Sequence, residues 1–335
     1  MNVLVTGAGG FIGSHLCEEL LTKKYKVRAF VRYNSSQNQG WLKNISHKNL
    51  EIIYGDVTDF DSVKDAVSGC SYIFNLAANI SVPYSFKNPQ TFIDTNILGA
   101  LNIFRASLLE KNKVKKIIQI SSSEVYGNDL VKNSNILTEK TITVSESPYA
   151  ASKIAADNLA LSMFKASGLP VIVARPFNTF GPRQSLRAVI PTIISQFATL
   201  SKSNNSITVG NLNTSRDFVF VKDTVSGLIN LLKPNCKAGE IYNICTGKSH
   251  KIKDIIKSLK KITNQNPKII VSKKRFRKAE VYNLKGSNKK LYSCSNWRPK
   301  YINKDDFTKA LRITSDWFME KRNLSNYSNI KKYNI

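Results

Sequence analysis

The chain is expected to be an α/β protein in which a doubly wound parallel sheet carries a smaller C-terminal α/β part. Two observations predict this. Short apolar runs alternate with helical patterns over roughly the first 175 residues, and strands that alternate with helices run parallel because each helix carries the chain back across a sheet face. The first run ends in a glycine-rich turn at Gly7, where a helix begins. At 335 residues, with 42% hydrophobic and 10% aromatic content, the chain can bury a large core and divide in two.

Asn2 to Thr6 is the first apolar run, followed by Gly7-Ala8-Gly9-Gly10-Phe11-Ile12-Gly13 and a helical pattern through Leu16, Leu20 and Leu21. Gly7 allows a tight turn, Gly10 lets the backbone approach a pyrophosphate, and Gly13 lets helix and strand pack closely, with the helix N-terminus favouring an anion. The spacing is Gly-x-x-Gly-x-x-Gly, which departs from Gly-x-Gly-x-x-Gly. Between a strand and a helix it reads as a dinucleotide site, with Phe11 and Ile12 inside it.

Lys26 to Val31 is the second strand. An acidic residue after it would read the ribose 2′-hydroxyl of NAD, but the chain has Arg32-Tyr33-Asn34. Arg32 here either accepts a 2′-phosphate, favouring NADP, or stays solvated. Leu50 to Tyr54 is the third strand, and Asp56 and Val57 after it stand where an adenine edge is contacted. Tyr72 to Leu76 is the fourth, ending in Ala77-Ala78, which leave room for a cofactor.

From Pro89 to Leu109 the residues Phe92, Ile93, Ile97, Leu98, Leu101, Ile103, Phe104 and Leu108 keep helical spacing over a face broad enough to be buried on two sides. Val114 to Ile120 and Leu169 to Ala174 are the fifth and sixth strands. Beyond Arg175, Pro176 to Arg183 reads as a loop, Val189 to Leu200 as a helix, Ser215 to Val221 as a strand and Lys222 to Leu232 as a helix. Short elements follow from 237, closed by a helix from Asp305 to Lys321. Residues 1–176 and 211–236 are assigned to the dinucleotide domain, 177–210 and 237–322 to a substrate domain, and 323–335, without apolar periodicity, to a disordered tail.

The formal charge of +27 invites a nucleic-acid reading, but Lys and Arg are spread along the chain and no nucleic-acid motif appears. Such a field instead draws in anionic substrates. Five cysteines and three histidines are scattered without metal or disulfide spacing, so neither framework is expected, and His15 reads as structural. There is no membrane span and no leader peptide, which places the protein in the cytoplasm as an expectation.

Chemistry concentrates between Ile120 and Lys153. A strand ends in Ser121-Ser122-Ser123-Glu124-Val125-Tyr126-Gly127, and Tyr149-Ala150-Ala151-Ser152-Lys153 opens a helix. Spacing i, i+4 puts Tyr149 and Lys153 on one face, where the ammonium is expected to lower the phenol toward the range of a general base.

With the glycine turn, Ser122-Ser123-Glu124, Tyr149/Lys153 and Arg175-Pro176-Phe177-Asn178 in order, the chain resembles the extended short-chain dehydrogenase/reductases of the epimerase/dehydratase family, which act on nucleotide sugars. The resemblance covers residues 1 to 322. It implies a Rossmann domain with strand order 3-2-1-4-5-6-7, tightly bound NAD(P), and a homodimer in which Pro89–Leu109 and Tyr149–Ser167 form a four-helix bundle. It adds Leu76, Asn96 and Pro176 to the cofactor contacts. Around the diphosphate it places Asn178, Arg216 and Arg277, with Arg275 as the competing contact, and Glu280 at the ribose or base. Ser81, Ser85, Glu124, Arg187 and Val189 complete the implied substrate site.

Arg32-Tyr33-Asn34-Ser35, Val82-Pro83-Tyr84-Ser85 and Arg187-Ala188-Val189-Ile190-Pro191 look like legionaminic-acid-type NDP-N-acetylglucosamine 4,6-dehydratases, which serve bacterial surface glycans. UDP-glucuronate decarboxylase and 4-epimerase are the alternatives. The usual dehydratase pattern has Asp where this chain has Ser123, so Glu124 is expected to act as both base and acid, with Ser122, Tyr149 and Lys153 serving C4 oxidation. The identity of the nucleotide, UDP or GDP, is left open.

Overall fold

The computed structural model describes residues 1–127, 136–276 and 283–327. In chain order the strands are β1 (Asn2–Thr6), β2 (Lys26–Arg32), β3 (Leu50–Gly55), β4 (Tyr72–Asn75), β5 (Lys116–Ile120), β6 (Val171–Pro176), β7 (Asn178–Phe180), β8 (Ser206–Val209), β9 (Ser215–Arg216), β10 (Phe218–Phe220), β11 (Ile241–Ile244), β12 (His250–Lys251), β13 (Lys268–Val271) and β14 (Asn283–Leu284). The helices are α1 (Phe11–Thr22), α2 (Phe60–Val67), α3 (Val82–Lys87), α4 (Gln90–Phe92), α5 (Gly99–Leu109), α6 (Pro148–Ser167), α7 (Val189–Ala198), α8 (Val221–Asn230), α9 (Ile252–Thr263), α10 (Lys289–Ser295), α11 (Lys304–Met319) and α12 (Lys321–Leu324).

A seven-stranded parallel sheet in the order β11-β6-β5-β4-β1-β2-β3 forms the centre, the expected 3-2-1-4-5-6-7 arrangement. Alternation along β1 explains its two faces. Val3 and Val5 join Leu16, Leu20, Phe74 and Leu228 on one side, while Leu4 joins Phe30, Ile73, Phe104 and Ala156 on the other. β5 and β6 are buried throughout, as apolar strands covered on both faces must be. The order of strand addition reverses between β1 and β4, which stay parallel, and the crevice beyond their carboxyl ends is where an α/β sheet receives a ligand.

Several boundaries differ from the sequence expectation, each through a long-range partner. The seventh strand, β11, lies in the stretch assigned above to the substrate domain, paired with β6 from Ile241↔Val173 to Ile244↔Pro176. The Pro176–Arg183 loop contains β7, paired with β10. Ser215–Val221 splits at Asp217, a fully buried carboxylate that accepts from Thr246 N, Thr246 Oγ1, Gly247 N and Gly286 N. The expected helix Pro89–Leu109 is interrupted by a π turn, Ile93–Leu98.

The expected absence of a disulfide is also corrected: Cys236 and Cys294, 58 residues apart in sequence, are bonded with Cα atoms 5.2 Å apart. Buried Lys116 anchors that corner, its Nζ donating to the carbonyls of Leu231, Lys233 and Cys236. The tail assignment fails for its described part, since 323–327 are ordered by aromatic packing of Tyr327 on Trp41, Trp317 and Phe318. Residues 328–335 lie outside the described residues. Among the described residues no helix is long and apolar enough to cross a membrane, and no cluster of three His, Cys, Asp or Glu could hold a metal.

Candidate active site

The crevice floor is a buried polar ladder across three strand ends. Thr6 Oγ1 donates to Asn75 Oδ1 at 2.7 Å, Asn75 Nδ2 donates to Gln119 Oε1 at 2.7 Å, and Ala77 N donates to Thr6 Oγ1 at 3.0 Å. These bonds fix the glycine turn relative to Leu76, Ala77 and Ala78. Gly7 has φ +63°, and a Cβ on Gly13 would meet the Gly7 carbonyl oxygen at 2.3 Å, so the turn requires both glycines. Gly10 caps α1 without a side-chain hydrogen bond, and Phe11 and Ile12 follow in its first turn. No side chain competes for the first amides of α1, and a pyrophosphate fits there.

Arg32 ends β2 and is exposed beside exposed Tyr33. Asp56 Oδ1 accepts from Thr58 N and Oγ1 at 2.9 and 2.8 Å, shaping the turn after β3. Val57 is buried under Gly99, where a Cβ would meet Val57 Cγ2 at 2.7 Å. Asn96, on the π turn, spends its side chain inside the protein: Oδ1 accepts from Asn79 N, and Nδ2 donates to Asn79 O and Ser152 Oγ. It frames the cleft by tying the loop after β4 to α6. Pro176 closes β6 and is buried.

The helix bearing Tyr149 and Lys153 is strongly specified. Ser147 caps α6 by accepting from Ala150 N at 3.1 Å, Pro148 opens it, and Gly168, φ +67°, ends it. Tyr149 is 7% exposed, packs edge-on against Phe92, and is hydrogen-bonded to the Ser122 side chain. Ser122 Oγ also accepts from Glu124 N at 3.2 Å. Ser122, Glu124 and Tyr149 therefore come together, Lys153 stands one turn further along the same helix, and Ser123 is buried.

The expected lowering of the phenol is reversed. Burial pushes Tyr149 up to about 12, the Ser122 hydrogen bond offsets part of this, and the Glu124 and Asp157 carboxylates add to the rise. Lys153 is pulled down to about 8 by burial, with Asp157 opposing. Desolvation outweighs the i, i+4 pairing because both groups are almost enclosed.

Behind them lies a pair that sequence reasoning missed. Asp157 Oδ2 accepts from Ser121 Oγ at 2.8 Å and from Arg175 Nε and Nη2 at 3.1 Å each, with both ion-pair partners less than 5% exposed. Arg175 lies over the Tyr126 ring, and Tyr126 OH donates to Asn243 Oδ1 at 2.7 Å. The available signal was the acid four residues after Lys153, one further helical turn along the same face.

Of the residues expected at the substrate, Asn178 opens β7 with its Oδ1 buried and without a hydrogen-bond partner, an acceptor suited to a ligand donor. Ser81 caps α3, and Ser85 is fully buried with its hydroxyl donating to Val82 O. Arg187 and Val189 are exposed at the start of α7. Arg216 is buried on β9, Nη1 donating to Ser215 O. Arg275 is committed to the Thr208 carbonyl at 2.6 Å, which weighs against it as the diphosphate contact. Arg277 and Glu280 lie outside the described residues. His15 is structural as expected: Nε2 meets Pro182 O at 3.1 Å, and burial holds it down at about 4.

The profile of the family described as GDP-mannose 4,6 dehydratase matches residues 4–309. GDP-6-deoxy-D-mannose reductase of Pseudomonas aeruginosa is 32% identical over 94% of this chain and 96% of its own. A Pseudomonas aeruginosa structure complexed with NADPH superposes with a TM-score of 0.79 at 29% identity, covering 96% of this chain and 99% of the other. UDP-N-acetylglucosamine 4-epimerase of Methanobrevibacter ruminantium M1, in complex with UDP-N-acetylmuramic acid, gives 0.83 at 30% identity, covering 96% and 98%. The chain belongs to the GDP-mannose 4,6 dehydratase family of extended short-chain dehydrogenase/reductases.

Proposed function

We propose that the chain is a 4,6-dehydratase of UDP- or GDP-linked N-acetylglucosamine, forming a 4-keto-6-deoxy amino sugar for surface-glycan synthesis. The observation that carries the reading is the Glu124 carboxylate on the same turn as Ser122, close enough to act electrostatically on Tyr149. The uncapped first turn of α1 suits NAD(P), whose chemistry is to accept a hydride from C4 and return it at C6, so that no net oxidation occurs. Tyr149, which burial holds up at about 12, takes the C4 hydroxyl proton against that penalty, Ser122 holds O4 and offsets part of it, and Lys153, one helical turn on, is the nearby cation. A C4 ketone acidifies C5, and Glu124 removes that proton and delivers it to the departing C6 hydroxyl. The proton lost from C5 leaves in the water formed, and C5 is reprotonated as C6 is reduced, a proton that balances the one Tyr149 takes from the C4 hydroxyl.

Incubation with UDP- and GDP-N-acetylglucosamine should give a product lighter by one water. Loss of carbon dioxide from UDP-glucuronate, or an unchanged mass with inverted C4, would replace this reading by decarboxylase or epimerase. A 4-keto reductase is a second reading, favoured by Ser123 in place of a second acid and by the reductase among the relatives. It would leave both N-acetylglucosamine nucleotides untouched and consume NADPH with a 4-keto sugar.

For the cofactor, Arg32 supports NADP, since a guanidinium clamps a 2′-phosphate. Arg32→Asp should weaken NADP binding about tenfold, roughly 1.4 kcal/mol, and spare NAD. Equal affinities unchanged in the variant would refute this. The expected dimer is supported by exposed Ile93 and Leu98 on the stretch that would join the bundle. A monomer in sedimentation at micromolar concentration would remove it.

A further inference from the structure

The C-terminal segment touches both halves of the cleft at once. Tyr327 packs its ring on Trp41, with centroids 6.0 Å apart, and Lys43 Nζ donates to Asn326 Oδ1 at 3.1 Å. Trp41 belongs to a short turn, Gly40–Asn44, that lies directly on the glycine turn. Its N–H donates to Gly9 O at 3.0 Å. A Cβ on Gly40, φ +59°, would meet Gly9 O at 2.3 Å, and one on Gly9 would meet Gln39 O at 2.7 Å. A shift of this turn therefore displaces the backbone of the dinucleotide site.

The hydroxyl of the same Tyr327 donates to Gln184 O at 2.9 Å. Gln184 Nε2 donates to Thr179 O at 2.6 Å, beside Asn178. Its neighbour Arg183 reaches back to α1 through paired bonds to Glu18, 3.1 and 2.7 Å. Burial pushes the Tyr327 phenol up, so it stays a donor through the neutral range. The two contacts are separable: the ring bears on the glycine turn, the hydroxyl on the Gly181–Arg187 loop.

We infer that Tyr327 is a positioning residue that couples the two sites, its ring bracing the glycine turn through Trp41 and its hydroxyl holding the Gly181–Arg187 loop through Gln184. The inference rests on the reading of these two stretches as cofactor and nucleotide-sugar sides. Coupling of this kind is reciprocal, so a bound dinucleotide should tighten nucleotide binding and the reverse.

The test uses the full chain with Tyr327→Phe and Tyr327→Ala. NADPH and UDP or GDP binding are measured by calorimetry, and amide hydrogen exchange is followed over 8–13 and 181–187. Tyr327→Phe loses one hydrogen bond, so nucleotide affinity should fall about three- to tenfold, exchange should quicken in 181–187 only, and NADPH binding should hold. Tyr327→Ala should weaken both ligands and quicken both segments. Wild-type exchange in 181–187 of Tyr327→Phe, or equal losses in the two variants, would overturn the coupling. Failure of the wild type to bind UDP or GDP would count against the substrate reading alone, because slowing of exchange in 181–187 on NADPH binding, present in the wild type and lost in Tyr327→Phe, decides the coupling without it.

Discussion

Glu124→Gln should leave C4 oxidation in place and lower dehydration by about 10²–10⁴-fold, the range for loss of a general acid–base group. Ser122, Tyr149 and Lys153 are untouched, so the absorbance of reduced nicotinamide should rise without 6-deoxy product. Exchange of the C5 proton with solvent should also stop. Ser123→Ala should cost less than about threefold, since a buried hydroxyl is a poor acid. The reverse outcome, a dead Ser123→Ala and an active Glu124→Gln, would move the acid elsewhere in the pocket.

Asp157→Asn should cost about 3–5 kcal/mol of folding stability, because it leaves Arg175 charged and unpaired in the interior. Denaturant melts measure this. The same change should shift activity with pH. Lys153 is acted on by Asp157 from its own helix, that carboxylate is paired with Arg175 from β6, and Glu124, from the turn after β5, acts on Tyr149. Asp157 is the carboxylate that raises Lys153 against its burial. Without it the ammonium should lose its proton below about 8, so the alkaline limb of kcat/KM should move toward lower pH. Asp157→Glu should restore part of the limb. An alkaline limb unmoved in Asp157→Asn would show the pair to be structural only.

What the sequence revealed was local. The glycine turn, the apolar runs of β1 to β6 and the i, i+4 pair Tyr149/Lys153 are written within a few residues each, and the structure places them as expected. What it hid depends on partners far away in the chain. Cys236 meets Cys294, Asp157 meets Arg175, and Tyr327 has a reason to be ordered only once Trp41 and Gln184 are beside it. Likewise β11 is four residues of modest character until β6 supplies its ladder. The reversed Tyr149 shift has the same origin, because spacing shows neighbours while burial sets their cost.

The π turn Ile93–Leu98 bears on how this chain can change length. A π turn carries one residue more than the α-helix it interrupts, and here that residue lets Asn96 reach Asn79 and Ser152. Deleting a single residue in it would restore regular α geometry and keep the downstream faces in phase, with Ile103 and Phe104 still on the core and Arg105 still outward, while losing the Asn96 contacts. The same deletion early in regular α5 would rotate everything beyond it by about 100° and swing buried side chains off the core. At the π turn an indel of one residue is a change of length rather than of face.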